Sequence, residues 1–405
     1  MSTATRPEAP DATRAVAPAV SPSAPALVPD DPDGLGPLAG ARRLRDVAAS
    51  HAADADRTGV LADEVVALIR DAGFARHLVP VEHGGHGGGF GELNRAVALV
   101  GEGCAATAWC ASLAAYSARF VGHLPAAGQD RVRADGADAL IATALVPGGR
   151  AVPESGGWRL AGQWNYVSGI RSADWVLLCA PVVPEGPREP GVPPELRFFA
   201  LPRGAYTVRE TWDSVGMRAT GSHTVAVEGA GVLVDAELSF ARQELLAGRN
   251  AHSPLPLHNL PFRSVAGLPF VVPALGAAAG ALAACAATVT GRRRTETNEL
   301  RLVRASAKID AARLLVAEHA AVLDARAFSP ESLARGERNV TFATELLREA
   351  VDEVVRAAGT GGLGDSSAVQ RLWRDVTSAT SHVALQYETF ARSSYAAVLL
   401  GPKEG

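Results

Sequence analysis

Residues 156–169 read Gly-Gly-Trp-Arg-Leu-Ala-Gly-Gln-Trp-Asn-Tyr-Val-Ser-Gly. The two glycines open a turn. From Trp158 to Ser168 the side chains alternate, the period of a half-buried strand. The run carries Trp164 and Tyr166 and closes on Ser168 and Gly169. This is the pattern of a hairpin arm. Trp, Tyr and Ser at a strand end also suit a planar aromatic ligand, stacked on one ring and hydrogen-bonded by one hydroxyl or amide. A purely structural hairpin is the alternative.

The neighbouring sequence extends the β reading. Residues 140–146 form a continuous apolar run, and 175–183, 197–201, 207–211 and 224–228 are short and β-prone. Gly and Pro punctuate them at intervals of about 8–15 residues, which predicts an antiparallel sandwich or barrel over 139–240.

Helical patterns flank this domain. Residues 37–138 read as an N-terminal α-helical domain, with a long apolar helix from Leu93 to about Phe120. Gly73 stands where a helix-ending glycine belongs. Residues 241–405 read as a C-terminal bundle of four helices. In it Asn339 or Thr341 caps a helix through Ala358, with Phe342, Leu346, Leu347, Val351, Val354 and Val355 on one face. Residues 1–36 are Ala, Pro, Ser and Asp without apolar periodicity, which predicts a disordered tail. The fold class expected is α+β.

Composition excludes several functions. The chain has 405 residues, 47% hydrophobic but only 5% aromatic, so Ala, Val and Leu dominate its apolar content. Ala favours closely packed helices. Lys308 and Lys403 are the only lysines among 39 basic residues, a bias we assign mainly to genome composition. The net charge of −4 offers no nucleic-acid footprint. The most apolar stretch, residues 265–289, is Ala- and Gly-rich with two prolines, and reads as a packed core helix with its lead-in rather than a membrane span. No signal-peptide layout is visible, so a cytoplasmic protein without membrane or nucleic-acid partners is expected. The four cysteines form no Cys-x-x-Cys pair, and His83-x-x-His86 beside Glu82 lies in a glycine-rich loop without a third His, so no metal site is expected.

Three further motifs stand out. Gly359-Thr-Gly-Gly-Leu-Gly364 matches a dinucleotide fingerprint by letters, but a helix precedes it where a strand is required. It reads as a helix-ending turn or a close approach to a phosphate. Arg292-Arg293-Arg294 cannot share one helix face, so one of them could meet a phosphate as a two-pronged donor. Gln370-Arg-Leu-Trp-Arg-Asp375 is followed by His382, two helical turns past Asp375 if the helix continues.

The order of helical domain, β domain and helical bundle resembles the acyl-CoA dehydrogenase fold over residues 40–400. Residues 162–169 look like its flavin-binding strand, and Trp212-Asp-Ser-Val-Gly-Met-Arg-Ala-Thr-Gly-Ser222 like its next flavin-side loop. Gly359 to Gly362 followed by Leu372-Trp-Arg-Asp375 look like its glycine turn and RD helix. A dehydrogenase of this fold typically has a carboxylate base eight residues past that aspartate, and here Val383 stands there. Glu388 is five residues further on, which turns it about 140° away.

The pattern is instead similar to two-component flavin monooxygenases. That resemblance implies reduced FMN or FAD delivered by a separate flavin reductase, O2 as co-substrate, a C4a-hydroperoxyflavin, and hydroxylation of an aromatic or amine-bearing small molecule. It places Ser168 at flavin N5 and His382 near the peroxide. It puts Thr143, Tyr166 and Val167 beside the ring, and Arg263 and Arg293 with Gly361 and Gly362 around the phosphate end. Tyr116 and Ser117 fall where phenol-hydroxylating relatives often carry a histidine, so they become the substrate candidates. A homotetramer follows by analogy. The alternatives are a flavin dehydrogenase or oxidase of the same fold, and a non-catalytic interaction protein that kept it.

Overall fold

A computed structural model describes residues 37–183, 191, 193–253, 255–290, 294–327 and 329–401. The expected tail, residues 1–36, lies outside the described residues, as do Arg292 and Arg293.

The chain begins with α1 (Pro37–Thr58), α2 (Asp63–Asp71), α3 (Phe90–Gly103), α4 (Ala105–Val121) and α5 (Ala126–Val132). Asp63 and Glu64 in the first turn of α2 and Arg70 in its last match the helix dipole. Gly73 follows at a φ of 78°, the left-handed exit that glycine tolerates. The single long helix expected from Leu93 to Phe120 is in fact two. Cys104 adopts an extended conformation, φ −155° and ψ 114°, between α3 and α4. The break lets α3 pack on α1 and α8 while α4 turns towards the β layer.

The β layer holds β1 (Ile141–Ala144), β2 (Arg150–Glu154), β3 (Gly157–Val167), β4 (Trp175–Pro181), β5 (Leu196–Pro202), β6 (Thr207–Arg209), β7 (His223–Asp235) and β8 (Ser239–Ala241). They form two four-stranded sheets, ordered β1-β4-β5-β8 and β2-β3-β7-β6. The β2–β3 hairpin forms as expected, with Glu154 opposite Gly157. One pairing departs from the antiparallel expectation: β1 and β4 run parallel. The chain leaves β1 for the hairpin in the other sheet and returns in the original direction, the crossover that parallel neighbours require. Leu160, Val176, Leu177 and Phe199 fill the space between the sheets.

The last part contains α6 (Arg242–Ala247), α7 (Phe262–Val265), α8 (Leu268–Thr290), α9 (Glu296–Asp324), α10 (Pro330–Ala358), α11 (Ala368–Ala379) and α12 (Arg392–Leu400). Helices α8 to α11 pack together as the four-helix bundle. The α7–α8 segment is long and apolar enough to cross a membrane, yet 67% of its most apolar window is buried inside the protein. Glycines set its close approach to α3: a Cβ on Gly276 would sit 2.1 Å from the Ala98 carbonyl, and one on Gly280 2.3 Å from that of Glu102. The Ala- and Gly-rich composition therefore serves helix packing.

Two helix ends differ from expectation. Helix α10 starts at Ser329, whose hydroxyl accepts from the Ser332 amide, with Pro330 at the first helical position. Asn339 and Thr341 are internal, bonded to Glu318 and to the Glu337 carbonyl. Phe342, expected on the packed face, is 45% exposed. Helix α11 stops at Ala379, so His382 is not on it. His382 instead caps a short turn over Val383–Leu385, held by the Gln386 side chain, whose Nε2–H groups donate to the Thr380 and His382 carbonyls.

Candidate active site

A cavity of about 440 Å³ lies where α4, the ends of β1 and β3, α7, the start of α8 and the α11 turn converge. Six of the residues singled out from sequence line it: Tyr116, Ser117, Thr143, Tyr166, Ser168 and His382. They come from segments more than 260 positions apart, brought together only by the fold.

Ser168 sits in a chain of hydroxyls. The Thr220 Oγ1–H donates to the Met217 carbonyl at 2.8 Å. With that proton committed, the 2.8 Å contact between Thr220 and Ser222 requires Ser222 to donate. The 2.7 Å contact between Ser168 and Ser222 then requires Ser168 to donate. The Trp109 Nε1–H donates to Ser168 Oγ at 3.2 Å. Ser168 therefore has its proton directed at Ser222 and one lone pair on the Trp109 donor. What remains is an acceptor.

The loop bearing this chain is conformationally strained. Tyr166 (φ 61°) and Met217 (φ 54°) are left-handed without being glycine, and both line the cavity. Such conformations cost about 1–3 kcal/mol each and persist where the surroundings over-determine them. At Met217 the cause is visible: its amide donates to Asp375 Oδ1 at 2.6 Å, and the Trp212 Nε1–H donates to its carbonyl at 3.0 Å. Asp375 is buried, and desolvation raises its pKa to about 6. At Tyr166 a bulge interrupts the β3–β7 pairing between Trp164 and Val167. The bulge leaves the Tyr166 ring 74% exposed, edge-on to Trp212 at 6.3 Å.

His382 is neutral. Burial lowers its pKa to about 4. Its Nδ1 accepts from the Ala384 amide at 3.2 Å, so the proton resides on Nε2. Its ring stacks on Phe270 at 3.7 Å and meets Trp109 edge-on at 6.0 Å. Nearby, the Thr143 hydroxyl donates to Ser117 at 2.9 Å. Tyr116 stacks on Phe90, and burial raises its phenol pKa.

No Asp, Glu, Lys or Arg lines this cavity among the described residues. Val383 does line it, and Glu388 does not. The wall thus holds no carboxylate that could take a proton from carbon.

The remaining candidates lie elsewhere. Val167 is fully buried in the sheet, paired with His223. Arg263 does not line the cavity; its guanidinium makes a two-pronged contact with Glu337 at 3.0 and 3.2 Å and also donates to the Phe390 carbonyl. Gly361 and Gly362 belong to the turn after α10, outside the cavity lining. Arg293 lies outside the described residues, and Arg294 faces Glu299 at 3.9 Å.

The aromatic wall draws on both the β domain and the helices. Of the β-domain aromatics, Trp158 packs under Arg197, and Trp164 is buried with its Nε1–H on the Cys179 carbonyl. Among the described aromatics of that domain, Tyr166 and Trp212 reach the cavity. Trp109, Phe120, Phe262 and Phe270 come from helices instead. Trp109 shares its Ala-rich helix with Tyr116 and Phe120 and carried no signal of its own in the sequence. Ser222 was legible as the end of the Trp212–Ser222 motif.

Comparison with known proteins places this geometry. The acyl-CoA dehydrogenase C-terminal domain family matches residues 268–387. The FADH2-dependent resorcinol hydroxylase oxygenase component of Rhizobium sp. (strain MTP-10005) is 30% identical over 349 residues, 80% of this chain and 84% of that protein. The chain belongs to the flavin-dependent monooxygenase oxygenase components of the acyl-CoA dehydrogenase fold. This oxygenase is also 28% identical to the flavin-dependent monooxygenase oxygenase subunit HsaA of Mycobacterium tuberculosis (strain ATCC 25618 / H37Rv), over 80% of this chain and 85% of that one. Among solved structures, XiaF from Streptomyces sp. in complex with FADH2 and glycerol superposes with a TM-score of 0.83 at 26% identity, covering 91% of this chain and 95% of that one.

Proposed function

We propose that the protein is the oxygenase component of a two-component monooxygenase. It takes reduced FMN or FAD from a separate reductase and uses O2 to hydroxylate an uncharged aromatic small molecule. Bound reduced flavin supplies the two electrons with which O2 is divided, one oxygen atom entering the substrate and the other leaving as water. The names of the relatives support reduced flavin, and those of several, among them resorcinol hydroxylase and indole-3-acetate monooxygenase from Pseudomonas putida, point to aromatic substrates.

The residues present fit such a ring system. Tyr166 offers an exposed aromatic face at the rim, and Ser168 offers an unfilled acceptor. A reduced isoalloxazine carries N–H donors that an acceptor can hold. Tyr166, Thr143 and the backbone at Val167 would hold the ring. The phosphate end would fall to the Gly361–Gly362 turn and to arginines, Arg293 or Arg263, with a second subunit adjoining. A homotetramer fits the exposed apolar side chains of the C-terminal helices, Leu300, Val303, Leu314, Phe342 and Leu400. We place the enzyme in the cytoplasm.

The observation that carries the reading is the pairing of Ser168 with a neutral His382 in a cavity that no carboxylate lines among the described residues. Ser168 holds a donor of the ligand. His382, with its proton fixed on Nε2, donates to an oxygen beside the ring. Trp109 and Phe270 keep the imidazole oriented and exclude water. Tyr116 and Ser117 line the substrate side. An α,β-dehydrogenase reading requires a base, and Val383 cannot accept a proton.

Stopped-flow oxidation tests the proposal. Anaerobic protein with FMNH2 or FADH2 is mixed with oxygen and followed by absorbance. A long-lived near-UV species before oxidised flavin returns is the expected result. Immediate return of oxidised flavin refutes the reading, as does tight copurification of oxidised FAD that an acyl-CoA bleaches.

A further inference from the structure

Behind α4 lies a second, much smaller space of about 50 Å³. Its outer side is formed by Val60, Leu61, Val66 and Ile69 at the α1–α2 corner. Cys110, Leu113 and Ala114 on α4 form its inner side, and Leu140 and Ile141 its floor. Positions 110, 113 and 114 share one helix face, whereas Trp109, Tyr116 and Phe120 face the large cavity. Leu113, Ser168 and Thr220 line both spaces, so the partition is one side chain thick.

The size and chemistry of this space select its occupant. It is too small for a flavin or an aromatic substrate, and large enough for one water or one small gas molecule. A trapped water needs two to four polar partners. The polar side chains on the wall are few, and most of their hydrogen-bonding capacity is used. Ser168 is bonded to Ser222 and Trp109, and Thr220 to Ser222 and Met217. Arg171 donates to His223 and Glu210. Apart from these, Ser172 and Cys110, the wall side chains among the described residues are hydrocarbon, which favours an apolar gas over a water that several polar partners must hold. Burial pushes the Cys110 thiol up to about 12, so it is an uncharged wall and not a nucleophile. At the outer rim Val60 is 39% exposed, which opens the space to solvent.

We propose that this pocket is a dioxygen site, an apolar antechamber through which O2 passes from the Val60 rim to the Leu113–Ser168–Thr220 partition. The proposal rests on the monooxygenase reading for its ligand, since that reaction consumes O2. It does not rest on it for the binding of an apolar gas.

Two measurements test it. A crystal of the protein pressurised with xenon should carry a xenon peak in this pocket, and Ala114→Val, which adds two methyl groups to its wall, should abolish that peak. In the reduced-flavin complex, Ala114→Val should lower the second-order rate constant for reaction with O2 about fivefold. Val60→Phe, at the exposed rim where folding is not at risk, should lower it as well. Neither variant should change the Kd for reduced flavin. Ordered water in place of xenon overturns the proposal. Xenon binding with an unchanged O2 rate constant in both variants overturns the delivery role. Xenon binding without any oxygenated product leaves the gas site standing and removes the monooxygenase reading instead.

Discussion

Replacing Asp375 by Asn should remove a defined pH dependence from the stability of the protein. The carboxylate is buried on α11 and accepts from the Met217 amide at 2.6 Å. Desolvation raises its pKa from 3.8 to about 6, and the hydrogen bond opposes that rise without cancelling it. The folded state therefore resists ionising this group more than the unfolded chain does. Its stabilising contribution is complete below pH 3.8 and is lost as the pH rises through 6. The size is (6 − 3.8) × 1.36, about 3 kcal/mol in all, of which about 2 kcal/mol falls between pH 4.5 and 7.5. Asn keeps an oxygen for the Met217 amide and has no charge to bury. Urea unfolding of the wild type and Asp375→Asn, followed by tryptophan fluorescence across that range, measures the difference. The variant should gain about 2 kcal/mol relative to the wild type from pH 4.5 to 7.5. A wild-type-minus-variant difference that stays constant with pH refutes the argument. So does one that moves the other way.

Three more outcomes are expected. Ser168→Ala deletes the acceptor that the hydroxyl chain leaves free, and should raise the H2O2 released per flavin oxidised; unchanged coupling would take Ser168 out of the reaction. His382, with a folded pKa of about 4 against 6.5, contributes stability above pH 6.5 that is lost as pH falls towards 4. Product yield per flavin should accordingly be flat from pH 6 to 8, and a step near 6.5 that disappears in His382→Gln would show an imidazole that titrates normally. Because no Asp, Glu, Lys or Arg lines the cavity among the described residues, 6-hydroxy-2-naphthoate should bind at least about tenfold more weakly than its methyl ester or 2-naphthol in anaerobic titrations with reduced flavin. Equal affinity of the carboxylate and the ester would reveal a cation in the site.

The strands were readable because their signals are local. The Gly156–Gly157 turn and the alternation after it specify the β2–β3 hairpin without help from the rest of the chain. The parallel β1–β4 pair was not readable, because direction depends on a crossover and not on composition. The break at Cys104 was invisible for a different reason: the residues on both sides are apolar and helical, and tertiary packing alone decides where α3 ends. His382 was found as a residue and misplaced as a position. Residues 380–383, Thr-Ser-His-Val, contain neither Gly nor Pro, and the turn is held by Gln386 from further along the chain. Ser329-Pro330 did carry a helix-start signal, and Asn339 and Thr341 drew attention from it by resembling caps. Of the candidates in the strand motifs, Thr143, Tyr166 and Ser168 meet at the cavity and Val167 does not. Trp109 and Phe270, which clamp His382, emerge only when α4 and α8 are brought side by side.

The hydroxyl chain and the imidazole belong to different layers. Ser168, Thr220 and Ser222 lie just beyond the end of β3 and just before β7, whereas Trp109, Phe270 and Tyr116 are mounted on helices and His382 on the turn after α11. The two sets meet across the cavity through a few contacts, of which the Trp109–Ser168 bond is one. Side chains on the helical shore can therefore be exchanged to admit a differently shaped molecule while the hydroxyl chain on the opposite shore keeps its proton order. Laboratory redesign of specificity should begin with Tyr116, Phe262 and Val383, and leave the sheet untouched.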